Sequence, residues 1–206
     1  SRTPRAMDLP IDKLQAGMTQ LKELRGRLGI RQLLLTHMRW STDLYEYFGV
    51  EQYPSLEAQQ EYCYSLETSD WYAYVEGESF LGLPLDGTAN DLTPPVPPPA
   101  GEQSIYRVYL SRLTTYGHDL DNKQLNTVWS LGLDALQRTG GVQILAAYTR
   151  WNNETWDSFG IERFPNHQAI MQYSQYLSVS GWYRVSEARS HLGLAVGGLL
   201  SGMDEF

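Results

Sequence analysis

A gapless self-match constrains this chain more than any other feature. Shifted by 111 residues, positions 39–83 fall on positions 150–194 with 17 of 45 residues identical, where average residue usage would give about three. The stretch "RWSTDLYEYFGVEQYP" from Arg39 returns as "RWNNETWDSFGIERFP" from Arg150. Shared positions include Arg39/Arg150, Trp40/Trp151, Phe48/Phe159, Gly49/Gly160, Glu51/Glu162, Pro54/Pro165, Tyr62/Tyr173 and Trp71/Trp182. A match of this length is the mark of a duplicated supersecondary unit, so the fold must be one that can be built twice.

The second half shows which unit it is. "SIYRVYLSR" (104–112) is aromatic and branched and reads as a strand. Residues 120–138 place Leu125, Val128, Trp129, Gly132, Ala135 and Leu136 on one helical stripe. Strands follow at 141–151 and 156–164. Asn166 then caps a helix carrying Ile170, Tyr173 and Leu177, and residues 181–194 read as a closing strand. The order is β-α-β-β-α-β, the ferredoxin-like split unit. The first half repeats it with a helix at 11–28, strands near 31–40, 45–53 and 71–81, and a helix near 55–68.

The counterpart of the strand at 104–111 would fall before the first residue. That strand lies centrally in the unit, and its absence would leave backbone groups unpaired. Either further chain upstream supplies it, which is the favoured expectation, or the apolar tail "LAVGGLLSG" (194–202) fills the gap. The expected organisation is one unit over 1–89, a proline-rich linker over 90–103 and a second unit over 104–206. The linker "NDLTPPVPPPAGEQ" favours a stiff extended spacer.

Charge excludes several partners. A net charge of −8 with scattered basic residues argues against nucleic acid. No apolar run is long enough to span a bilayer. The single cysteine, Cys63, excludes an internal disulfide framework and favours a cytoplasmic location. Four histidines without HxH, HExxH or a cysteine cluster point away from a metal site.

With duplication and element order established, the chain resembles the dimeric α+β barrel superfamily, in which two ferredoxin-like units pack sheet against sheet. The repeated R-W-x7-F-G-[VI]-E-x-[FY]-P stretch is similar to that of an uncharacterised bacterial family of tandem barrel proteins. The resemblance implies a pseudo-dimeric α+β barrel within one chain. Among members of the superfamily are cofactor-independent monooxygenases, isomerases and dehydratases, haem-binding proteins and stress-associated proteins, so it implies a fold more than a function.

Candidate site residues come from two classes. Shared residues serve the scaffold first: Arg39 and Arg150 are placed to pair with Glu46 and Asp157 across a tight turn. Val50 and Ile161 are expected to face the helices, which would aim Glu51 and Glu162 toward the opposite, interior face as candidate acids or bases. Residues that differ are where one copy can specialise. His37 stands where the second half has Tyr148, His191 where the first has Phe80, and Arg184 where the first has Ala73.

His37 and Tyr148, each among apolar strand residues with an arginine two positions on, are the candidate proton-transfer groups. Arg39, Arg150 and Arg184 are candidate anion holders. Glu51, Glu162, Trp40, Trp151 and His191 complete the expected ligand-binding set.

The expected function is a small-molecule-binding barrel, leaning to a cofactor-independent enzyme that moves a proton or oxidises an apolar or aromatic metabolite. No cofactor is expected; haem, for which any histidine could be the axial ligand, is the less favoured reading. The alternative is a non-catalytic interaction or stress-associated module. Self-association stays open.

Overall fold

The structure, a computed structural model, describes residues 8–69, 71–85 and 103–203. The elements in chain order are α1 (Ile11–Leu28), β1 (Arg31–His37), β2 (Tyr47–Gln52), α2 (Leu56–Thr68), α3 (Trp71–Tyr74), β3 (Leu83–Pro84), β4 (Ile105–Leu113) and α4 (Thr115–His118). They continue with α5 (Asn122–Arg138), β5 (Val142–Tyr148), β6 (Ser158–Phe164), α6 (His167–Val179), α7 (Trp182–Val185) and β7 (Ser186–Gly197), and a 3-10 turn at Leu199–Ser201 closes the described chain. The expected α+β architecture with ferredoxin-like element order is present. Of the proline-rich stretch 90–103, only Gln103 lies within the described residues.

The chain divides into two compact units: the described part of Ser1–Glu78 with that of Ala195–Phe206, and Ser79–Leu194. The second unit carries a complete ferredoxin-like sheet. β4 lies centrally, antiparallel to β7 from Ile105↔Leu194 to Leu113↔Ser186 and to β6 from Ile105↔Phe164 to Ser111↔Ser158. β5 follows β6, and the short β3 follows β5. Helices α5 and α6 cover one face of this sheet, with Ala135, Leu136, Phe164, Ala169, Tyr173 and Leu177 as the core between them. Local chemistry starts both helices. Asp121 and Gln124 form a reciprocal capping box on α5, and the Asn166 side chain accepts from the Ala169 N–H at 3.0 Å.

The first unit has the same hairpin and helices. β1 and β2 pair antiparallel with a register shift between Gln32 and Leu34; β5 and β6 shift between Gln143 and Leu145, 111 positions on. The turns out of α1 and α5 match as well. Gly29 and Gly140 sit at φ +68° and +71°, each under the ring of the proline that ends the next hairpin, Pro54 or Pro165. A side chain at either glycine would be strained in that left-handed conformation. Leu21, Ile30, Tyr62 and Leu66 form this unit's core, with Tyr53 and Trp71 packed against it.

Of the two expected closing strands, the one at 181–194 starts late, at Ser186, and the one near 71–81 is absent from that stretch, the short β3 following only at Leu83–Pro84. The aromatic runs Trp71–Tyr74 and Trp182–Val185 each make a helical turn instead of the start of a strand. Trp182 uses that turn to set its ring edge-on to Trp129, 4.9 Å between centroids, and against Gly132 of α5. Packing of the Trp182 ring against α5 outweighs the strand preference of the run.

The apolar tail does not take the place of the absent central strand. That place is beside β2, the counterpart of β6, whereas the end of β7 lies beside β1, giving the order β2-β1-β7. Gly198 meets the Leu33–Leu34 backbone so closely that a Cβ there would lie 2.9 Å from it. The tail is the direct continuation of β7, so it can only run along the edge that β7 reaches. Among the described residues β2 has no strand on its outer side.

Candidate functional site

Each unit buries one acidic hub. In the second unit Glu162 of β6 has a side chain only 4 % exposed, paired at 2.6 Å with Arg107 of β4, itself 12 % exposed. The Tyr173 hydroxyl of α6 donates to the other carboxylate oxygen at 3.0 Å. The Arg107 guanidinium lies 5.0 Å from the Tyr109 ring centroid, and Gln143 Nε2 donates to the Tyr109 hydroxyl at 3.1 Å. In the first unit Glu51 of β2 pairs at 3.1 Å with Arg25 of α1, and Tyr53 donates to it at 2.7 Å. Arg25 also donates to the Gln32 side-chain carbonyl.

These contacts correct the expected direction of the two carboxylates. Tyr173 is a helix residue and Phe164 packs in the helix-facing core, so Glu162, which alternates with Phe164 along β6, turns toward the helices. Ile161 takes the opposite face and is fully buried. Both faces of this strand carry apolar residues, so alternation alone could not say which side the helices would cover. Burying the charge is tolerable because an arginine and a phenol replace its water.

Titration follows from the same geometry. Burial, then the nearby Glu162 carboxylate, pushes the Tyr109 phenol up to about 12. Tyr173 is raised further by burial and Glu162, and Tyr53 by burial and Glu51. Burial opposes the charge on Arg107, but Glu162 beside it more than offsets this and keeps it protonated. The hubs are therefore neutral phenols around fixed ion pairs. They hold each sheet to its helices.

The other expected site residues are spread along the chain. His37 is half-buried at the end of β1, its ring edge-on to Tyr47 at 5.4 Å, and its carbonyl accepts from the Trp40 indole. Arg39 and Trp40 are exposed just beyond. Tyr148, 43 % exposed, ends β5, followed by exposed Trp151. Arg150 makes the expected cross-turn pair with Asp157 at 2.5 Å, and Asp157 also accepts from the Leu113 N–H. Arg184 of α7 is exposed and lies 4.9 Å from the Tyr116 ring centroid. Arg150 thus serves the turn between β5 and β6, and Arg184 stacks beside Tyr116.

One expected residue, on β7, lies on the sheet face turned away from the helices. On β7, His191 is half-buried and lies opposite Val108, whose other neighbour is Ile161. Two residues before it is Arg189, opposite Leu110 and, beyond that, Phe159. Tyr106 and Arg163 form the next row and hydrogen-bond to each other; burial raises the Tyr106 phenol and Arg163 lowers it. By alternation these residues share the side of the second unit's sheet turned away from its helices. Sequence reading missed Arg163 and Arg189, and missed Arg25, Arg107, Tyr109 and Gln143 of the hubs. The shared Gln32/Gln143 pair was the available signal, seven residues before the self-match begins.

Among the described residues no three His, Cys, Asp or Glu side chains gather. Cys63 is a free thiol accepting a hydrogen bond from Gln59, and burial raises it above its ordinary range. No helix among the described residues is long and apolar enough to cross a membrane.

No family model and no curated protein matches this sequence. Solved structures do match in fold. A double mutant of chlorite dismutase from Candidatus Nitrospira defluvii superposes with TM-score 0.74 at 12 % identity, over 96 % of this chain and 88 % of that one. A single mutant of the same enzyme in complex with cyanide gives 0.73 at 13 % identity, over 98 % and 90 %. The same enzyme in complex with imidazole gives 0.71 at 11 %, over 96 % and 88 %. This chain therefore shares the α+β fold of these chlorite dismutase structures. At these identities the likeness is one of fold.

The comparison overturns the expectation that no cofactor is involved, because the matched structures are chlorite dismutases, a family whose members bind haem. Haem asks for an iron donor, apolar walls and cations for its carboxylates. The helix-facing layer of the second unit has no room for it. A Cβ on Gly160 would lie 2.4 Å from the Tyr109 ring, one on Gly141 2.4 Å from Leu136, and one on Gly132 2.6 Å from Trp182. The opposite face has the right donor set in His191, Arg189, Arg163, Val108 and Phe159. His118 and His167 sit exposed at helix ends and lack such walls.

Proposed function

We propose that this protein binds a flat, anionic small molecule of the haem type on the helix-free face of its second unit. His191 is the donor to the iron, and Arg189 and Arg163 are the cations that face its carboxylates. The observation that carries this reading is the placement of His191 between arginine rows on an apolar sheet face, in a fold whose solved examples are chlorite dismutases crystallised with cyanide and imidazole. Bound haem would supply redox chemistry at its iron; the chain's own contribution is the donor, the cations and the dry wall. We also read the two units as copies of one ancestral unit, supported by the matching bulges at Gln32/Leu34 and Gln143/Leu145 and the matching Gly29–Pro54 and Gly140–Pro165 corners.

Titration of the purified protein with haem tests the reading. The expected result is a saturable shift of the Soret band at one equivalent. His191→Ala should weaken binding by at least about tenfold, about 1.4 kcal/mol, and His37→Ala and His118→Ala should leave it unchanged. No spectral shift, or a His191→Ala protein that binds as the parent does, would refute it and favour an interaction module.

A further inference from the structure

Arg163 has no charged counterpart in the first unit. The matching residue of β2 is Gln52, and the residue beside Gln52 on β1 is Arg31, whose match on β5 is Val142. In the first unit Arg31 Nη1 donates to Gln52 Oε1 at 3.1 Å across that rung of the hairpin. In the second unit the charge stands on β6 instead, and Val142 across the rung has no polar group to hold it. The holder comes from the other side. Tyr106 of β4 lies directly opposite Arg163, is only 1 % exposed, and is hydrogen-bonded to it. An arginine has no acceptor, so a guanidinium N–H donates and the phenol oxygen accepts. Gly193, opposite Tyr106 on β7, adds no side chain to the row.

We propose that Tyr106 is the positioning residue that gives the helix-free face its preference for a carboxylate, by fixing the Arg163 guanidinium so that its remaining N–H groups meet the acid as a fork. The proposal rests on that face being the ligand site. An unheld arginine must give up side-chain freedom when an anion binds. Burial of Tyr106 means that the chain gives up part of that freedom on folding, so the carboxylate meets donors already in place. Tyr106 acts through Arg163, and the exchange of Gln52 for Arg163 confines this device to the second unit.

The probes are metal-free protoporphyrin IX and its dimethyl ester, which share the flat ring and differ in charge, titrated into the full chain by fluorescence. The parent should bind the acid at least about tenfold more tightly than the ester. Tyr106→Phe keeps the ring and removes the acceptor; it should cut that preference at least about threefold and leave the ester's affinity unchanged. Arg163→Gln should cut it at least as far, and the double variant should lose no more than Arg163→Gln alone. Arg163→Lys, which leaves Tyr106 in place and keeps the charge but not the fork, should also lose most of the preference. Full preference retained by Tyr106→Phe or by Arg163→Lys would overturn the proposal. So would equal weakening of acid and ester, the result of lost packing alone, or additive losses in the double variant. A parent that binds neither porphyrin, or both alike, would refute the ligand face together with the role of Tyr106. A parent that prefers the acid, with Tyr106→Phe doing the same, would refute only that role. The ring carries no iron, so neither result depends on His191.

Discussion

Replacing Glu162 by leucine removes the anion from a site where its cation cannot escape. The Arg107 side chain is 12 % exposed and held between the Tyr109 and Tyr173 rings, 5.0 and 5.8 Å from their centroids, so it cannot swing into water without unpacking the sheet. Stranding one member of a buried pair costs about 3–5 kcal/mol. For a chain of this size each kcal/mol moves the thermal midpoint by about 2–4 °C, so Glu162→Leu should melt about 6–20 °C lower. Urea unfolding should show a lower midpoint at unchanged slope, since the exposed area on unfolding is nearly the same. The double variant Glu162→Leu with Arg107→Met removes both charges at similar volume and should recover at least half of the loss. A single variant within about 1 kcal/mol of the parent would refute the view that this pair is buried and closed.

Two further outcomes follow from the same sheet. Gly160→Ala forces a methyl into the Tyr109 ring and should cost about 1–3 kcal/mol, whereas Gly49→Ala meets ordinary contacts and should leave urea stability nearly unchanged. Tyr109 titrates at about 12 in the folded chain, above its ordinary value near 10. The folded state prefers the neutral phenol, so this stabilisation is complete below pH 10 and is lost as pH rises toward 12. Melting points taken across that window should fall, and Tyr109→Phe should flatten the decline.

Element order was legible in the sequence because it rests on local pattern. Aromatic and branched runs, an N-cap at Asn166 and a 17-residue identity at a fixed offset need no tertiary knowledge. The direction of Glu51 and Glu162 was not legible. A strand with apolar residues on both faces looks the same whichever side the helices take, and what decided it was a partner 55 residues upstream, Arg107, together with Tyr173 on a helix. The helical turns at Trp71–Tyr74 and Trp182–Val185 escaped for the same reason, since indole packing outweighed strand preference. His191 was marked by its difference from Phe80, but Arg163 and Arg189 acquire meaning only from the β4–β6 and β4–β7 registers.

The source of each arginine shows how a fold meets one demand by two routes. A buried carboxylate needs a cation, and in the second unit the central strand β4 provides it as Arg107. The first unit has no described strand on the outer side of β2, yet Glu51 is still paired, because position 25 of α1 is arginine where the equivalent position 136 of α5 is leucine. Leu136 is buried among apolar neighbours, so the exchange makes the first unit's helix–sheet interface the more polar of the two. Water can reach Glu51 but scarcely Glu162. Arg25→Leu, which copies the second unit, should therefore cost about 1–3 kcal/mol, against about 3–5 kcal/mol for Arg107→Leu. Equal losses in urea unfolding would mean that Glu51 is as closed to solvent as Glu162.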